Sequence, residues 1–147
     1  MIVNDDFKLK VKRLTQTAKL PDVAHEGDLG YDVYSDEDVT IEAGKTKVVS
    51  TGIAIQWPEG IGCFVKDRSS IAAKKNVFTA AGVIDWGYTG NIGVVMYNST
   101  EYDVIINSGD KIAQLVPILI PVIDGITEVD DFEITSRNSD GFGSTGE

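Results

Sequence analysis

Short runs of alternating apolar and polar residues dominate this chain. In FKLKVKRL (residues 7–14), Phe7, Leu9 and Val11 alternate with Lys8, Lys10 and Lys12, the period of a strand with one solvated face. β-Branched runs recur downstream: YDVYS (31–35), DVTIEA (38–43), KVVSTGIAIQW (47–57), GCFVKD (62–67), GNIGVVMYN (90–98), YDVIINSGD (102–110) and KIAQLVPILI (111–120), punctuated by Gly, Asn, Asp or Pro. Such spacing predicts an all-β sandwich or barrel. Only SSIAAKKN (69–76) reads as helix, because Ala-Ala-Lys-Lys favours the α conformation and a serine stands ready to cap it. TAAGVIDWGYTGNIGVVMYN (79–98) predicts a β-hairpin, with two apolar arms around a glycine-rich DWGYTG tip. In KIAQLV, Gln114 alternates with Ala113 and Leu115 and points away from their face. The last strand-like segment ends near Ile134, and RNSDGFGSTGE (137–147) then has too few apolar residues to bury a core of its own.

A length of 147 residues suits one domain with an adequate core. The net charge of −10 opposes binding to a nucleic-acid backbone but allows a small polyanion at a local basic site. Arg13, Arg68 and Arg137 are the only arginines, so their placement matters. The apolar run LVPILIPVI (115–123) is too short to cross a bilayer and is broken by Pro117 and Pro121. No secretory leader is read in MIVNDDFKLKVKR, so the expected location is the cytoplasm, or the nucleus of a eukaryotic cell. One cysteine, Cys63, and one histidine, His25, exclude an internal disulfide and a Cys/His zinc site.

Five stretches hold candidate chemistry. HEGDLGYDVYS (25–35) is a glycine turn leading into a strand with Asp32 at its start; by itself it reads as a turn with solvated acids. DRSSIAAKK (67–75) puts Arg68, Ser69 and Ser70 at a strand–helix junction, which is either a phosphate cradle or an ordinary cap. The 79–98 stretch holds Asp85 and Tyr88 between glycines that let the backbone approach a ligand, or else forms a plain hairpin. Gln114, after SGD (108–110), is otherwise an exposed residue of an edge strand. The end of the chain carries Phe142, an anchor on a neighbouring chain or a lid over a flat ligand. Stacking on a base contributes ~1–3 kcal/mol.

Together and in this order, GDLGYDVYS, DRSSIAA, GVIDWGYTGNIGVVMYN, GDKIAQL and RNSDGFGSTG resemble the five motifs of the trimeric deoxyuridine triphosphatases (dUTPases), from about Leu9 to Gly146. The resemblance implies a distorted jelly-roll of the β-clip type, all-β with one short helix, assembled as a homotrimer. Residues 1–136 would form the β domain and 137–147 a flexible lid. Each site would take motifs one, two and four from one chain, the third from a second and the fifth from the third. The implied reaction is hydrolysis of dUTP to dUMP and pyrophosphate with Mg2+, limiting uracil in DNA and supplying dUMP for thymidylate synthesis.

By the same resemblance, Asp85 orients and deprotonates the water that attacks the α-phosphorus. Tyr88 excludes a 2′-hydroxyl, and the backbone of Gly82, Val83, Ile84 and Gly93 reads uracil. Arg68, Ser69, Ser70 and Gln114 hold phosphates, and Arg137 takes the γ-phosphate. Phe142 stacks on the base, with Gly143, Ser144 and Thr145 completing the lid, and Asp32 holds magnesium through water. The chain departs from the family pattern at several positions. Leu29 stands for alanine, expected as a packing change; Asp67 and Ser70 stand for proline and glycine; Asn138 and Asp140 stand for glycines. A dCTP deaminase relative would need a glutamate where Val95 stands. A nucleotide-binding signalling trimer with little catalysis is the remaining alternative.

Overall fold

The structure, a computed structural model, describes residues 8–136. Antiparallel strands account for nearly all of its regular structure, as the alternating pattern requires. Strand β1 (Lys10–Arg13) pairs with the long β4 (Thr46–Gln56), β4 with β8 (Asn91–Asn98), and β8 with β6 (Val77–Ala80), giving a four-stranded sheet. A second four-stranded sheet runs β2 (Tyr31–Tyr34), β10 (Lys111–Leu119), β5 (Ile61–Lys66), β7 (Val83–Ile84). A two-stranded ribbon joins β3 (Val39–Ile41) to β9 (Val104–Ile106). One buried cluster draws on all three sheets, with Val33 and Leu115 from the second, Ile53, Ile92 and Met96 from the first, and Ile41 and Ile106 from the ribbon. Each such side chain contributes roughly 1.5–3 kcal/mol through burial. This is the layered all-β arrangement, with one short helix, expected of a distorted jelly-roll.

Asn98 supplies a polar pin in that core. It is fully buried, and its Nδ2 donates to the carbonyls of Ile41 (2.9 Å) and Tyr102 (2.8 Å). Its Oδ1 accepts from the Thr100 amide (3.0 Å) and hydroxyl (2.7 Å). The side chain thereby ties the end of β8 to β3 and to the loop before β9, with its polar groups satisfied.

Four local expectations are corrected. Helix α1 (Ser69–Lys75) has Arg68, not a serine, at the N-cap, with extended backbone (φ −89°, ψ 131°) and no side-chain cap bond. Ser69 and Ser70 lie inside its first turn. Asn76 ends the helix in the left-handed region (φ 51°), which asparagine tolerates. The 79–98 stretch is a hairpin only in part: β6 pairs with β8, but β7 crosses to β5 of the other sheet. Strand β10 is central, flanked by β2 and β5, so Gln114 is not on an edge. Finally, no strand follows Leu119 among the described residues, although a strand-like segment was expected to run to Ile134. The Ile120 N–H still donates to the Gly60 carbonyl (2.8 Å), and Pro121 then offers no N–H to continue the ladder. Val122, Ile126, Phe132 and Ile134 are at least 90% exposed.

Candidate active site

Strands β2 and β10 of the second sheet, with the strand–helix junction at Arg68, build a polar cleft. Asp32 of β2 stands opposite Gln114 of β10. Its carboxylate is only 14% exposed and bridges two cations: Oδ1 accepts from Arg68 Nε at 2.8 Å, and Oδ2 accepts from Lys111 Nζ at 2.8 Å. The Asp32 hydrogen bond is the main reason the Lys111 ammonium holds its proton above the ordinary lysine range; partial loss of hydration works against it. Gln114 Nε2 donates to the Asp67 carbonyl at 2.8 Å. The Asp67 carboxylate in turn accepts from the Thr79 amide, so the aspartate standing for proline ties the loop before α1 to β6. At Gly30 a Cβ would lie 2.1 Å from Gln114 Oε1, so any side chain there would displace the Gln114 amide from its present position. Gly30, Asp32, Arg68, Ser69 and Gln114 line an open cleft of about 290 Å³. Leu29 lies on its rim, 71% exposed, and the expected packing role is not seen.

The chain between β6 and β8 builds a second cavity. Ala81 (φ 56°) and Gly82 (φ 92°) turn the backbone from one sheet to the other. The Gly82 carbonyl accepts from the Val65 amide at 2.7 Å, and a Cβ on Gly82 would stand 2.9 Å from the Val65 oxygen. The loop then closes on itself, with the Tyr88 amide donating to the Asp85 carbonyl (3.0 Å) and the Tyr88 hydroxyl to the Asn91 carbonyl (2.9 Å). Gly82, Val83, Ile84, Asp85, Tyr88 and Gly93 line about 280 Å³ of mixed polar and apolar space. The Asp85 side chain is exposed and has no hydrogen-bond partner among the described residues, so it is free to meet a water or a ligand.

Asp32, Arg68, Ser69 and Gln114 therefore meet in one cleft, with Ser70 beside it, its hydroxyl 3.5 Å from Arg68 Nη1. Gly82, Val83, Ile84, Asp85, Tyr88 and Gly93 meet in the other. No residue lines both. Arg137, Phe142, Gly143, Ser144 and Thr145, with Asn138 and Asp140, lie outside the described residues. Sequence reasoning missed Lys111, because strict alternation puts it on the face opposite Gln114. Two successive apolar residues, Ile112 and Ala113, hint at a break in the alternation, but their joint burial and the slip itself are seen only in the structure. Cys63 is no candidate nucleophile, since burial pushes its thiol up to about 12.

The described residues contain no group of three or more His, Cys, Asp or Glu side chains that could hold a metal ion. A protein cage for magnesium is therefore not offered there. Two cations occupy two of the roughly four acceptor positions of the Asp32 carboxylate. The remaining positions fit contact with a hydrated ion through its waters, the usual mode for an ion shared with phosphates.

The dUTPase family model matches residues 16–146. The chain belongs to the dUTPase family. Among its relatives, the deoxyuridine 5′-triphosphate nucleotidohydrolase of Paramecium bursaria Chlorella virus 1 is 43% identical over 94% of this chain and 97% of its own. That of Saccharomyces cerevisiae is 38% identical over 99% of each chain. A mutant Staphylococcus bacteriophage 80alpha dUTPase, solved with dUpNHpp, superposes with a TM-score of 0.89 at 30% identity, covering 95% of this chain and 99% of that one. A mutant dUTPase of S. aureus phage phi11, whose structure concerns coordination of a structural Mg(II) ion, gives a TM-score of 0.80 at 29% identity over 86% of this chain and 99% of that one. The dUTPase fold is thus present over nearly the whole chain. Among the described residues no helix is long and apolar enough to cross a membrane.

Proposed function

We propose that this dUTPase-family chain hydrolyses dUTP to dUMP and pyrophosphate. The observation that carries the reading is its near-full-length relationship to deoxyuridine 5′-triphosphate nucleotidohydrolases. The two clefts suit the two ends of such a substrate. The Arg68 and Lys111 cations offset the Asp28 and Asp32 carboxylates at the first cleft, in a chain of net charge −10. That cleft takes the triphosphate, with Arg68, Ser69, Ser70 and Gln114 as donors.

The second cavity takes deoxyribose and uracil. Tyr88, fixed by its hydroxyl on Asn91, walls the sugar and leaves no room for a 2′-hydroxyl. Backbone groups of Gly82, Val83, Ile84 and Gly93 meet the pairing edge of uracil. Cytosine reverses most of that donor–acceptor pattern and would leave buried polar groups unpaired. Asp85 orients an attacking water and takes its proton as the bond to the α-phosphorus forms and pyrophosphate leaves. Asp32 contacts the hydration shell of Mg2+, and the bound ion offsets phosphate charge.

On this reading a complete site is assembled from three copies of the chain, an arrangement that two clefts with separate linings would suit. The base cavity of one faces the phosphate cleft of another, and residues 137–147 of a third close the site. Phe142 stacks on the base and Arg137 meets the γ-phosphate, with Gly143, Ser144 and Thr145 along the nucleotide. The cytoplasm, or the nucleus of a eukaryotic cell, is the compartment where this reaction is of use.

Pyrophosphate release from dUTP, dCTP, dTTP and UTP, with and without Mg2+, tests the reading. The expected result is release from dUTP alone among the four, strongly promoted by the ion. Equal release from UTP, or none from dUTP, would overturn it.

A further inference from the structure

Between Lys111 and Ala113 the pairing of β10 with β2 slips by one residue. Ala113 stands opposite Val33 and Gln114 opposite Asp32, yet Lys111, not Ile112, stands opposite Tyr34. Ile112 is the extra residue of a β-bulge, and both it and Ala113 are buried. In an unbroken ladder Lys111 would share the inner face with Ala113 and Leu115. The bulge instead moves it to the face of Asp32, Tyr34 and Gln114, beside the cleft. Bulges commonly re-aim a side chain in this way.

Re-aimed, Lys111 Nζ takes Asp32 Oδ2 at 2.8 Å and lies 5.8 Å from the centre of the Tyr34 ring. With Oδ2 engaged by Lys111, Arg68 meets Asp32 through Nε to Oδ1 only, at 2.8 Å; its Nη1 lies 3.5 Å from the Ser70 hydroxyl, and neither terminal nitrogen hydrogen-bonds the carboxylate. A free carboxylate beside a guanidinium prefers the two-bond fork, which uses two of the guanidinium nitrogens. We propose that Lys111 is a positioning residue that occupies one oxygen of Asp32, prevents the forked Asp32–Arg68 pair, and so keeps the terminal nitrogens of Arg68 available to the triphosphate. This rests on the dUTP reading above. Lys111 acts through Asp32 and does not itself touch the substrate.

The test is calorimetric binding of the imido analogue dUpNHpp to the full chain in EDTA, so that magnesium plays no part. Lys111→Met should weaken binding about 10-fold, as expected when a charge-assisted contact is lost, while Lys111→Arg stays within about 3-fold of the wild type. In an Asp32→Asn background, Lys111→Met should change affinity less than about 2-fold, because no second carboxylate oxygen remains to be held. The crystal structure of Lys111→Met should show Asp32 and Arg68 joined by two contacts. Lys111→Gln replaces Lys111→Met if the latter melts within the assay range. An equal loss in both backgrounds would make Lys111 a direct phosphate contact and overturn the proposal, and unchanged affinity with a lowered melting temperature would reduce it to a structural residue. Failure of the wild type to bind dUpNHpp both in EDTA and in Mg2+ would overturn the dUTP reading and this proposal together; normal wild-type binding with no Lys111 effect would overturn this proposal alone.

Discussion

Asp85 and Cys63 show opposite uses of environment at the residue scale. Asp85 is exposed and unpartnered among the described residues, in the loop that carries Tyr88, which leaves it open to a water. Asp85→Asn should preserve dUpNHpp binding and lower kcat by about 10²–10⁴-fold, the range for a lost acid–base group; steady-state kinetics beside calorimetry check this. Cys63 is buried and its thiol is pushed up to about 12. At pH 8 the native chain should resist iodoacetamide while the unfolded chain reacts at once, as mass spectrometry would show. A thiol that stays protonated in the fold but ionises near 8.5 when unfolded makes stability fall as pH rises from about 8.5 towards 12. The Asp85, Arg68 and Gln114 side chains were legible in the sequence as residue types within motifs. Lys111 was not, because its place depends on a one-residue slip that only the pairing of β10 with β2 reveals.

Among the elements, the strand pattern was read nearly in full, since one buried face imposes a period of two. The misreadings fall where an element's partner lies far away in sequence. Strand β7 looked like the arm of a hairpin, yet the positive φ of Ala81 and Gly82 sends it to β5. Helix α1 looked serine-capped, but its first turn is entered through extended Arg68, whose Nε donates to Asp32. The Asn98 pin gave no signal in the sequence beyond a strand-ending asparagine. Asn98→Ala would remove the side-chain donor to the Ile41 carbonyl, leave the Tyr102 carbonyl with the Thr100 hydroxyl, and open a small cavity. It should destabilise the chain by roughly 1–3 kcal/mol, measured by urea unfolding with the buried Trp57 as reporter.

For the molecule as a whole, two features bear on the proposed assembly. The two clefts share no lining residue, and in residues 120–136 Val122, Ile126, Phe132 and Ile134 are each at least 90% exposed. Exposed apolar residues in such numbers suit an interaction surface. The family resemblance implies shared sites; it gave no sign of these four exposed residues, whose stretch reads in the sequence as a further strand. Whether complete sites draw on three copies is decided by dUTP turnover after co-refolding Asp85→Asn chains with chains truncated after Ser136, each inactive or nearly so alone. The mixture should gain activity well above the sum of its parts, because some sites then receive an intact Asp85 from one chain and an intact tail from another. A mixture no more active than its components, from chains shown to co-assemble, would contradict shared sites.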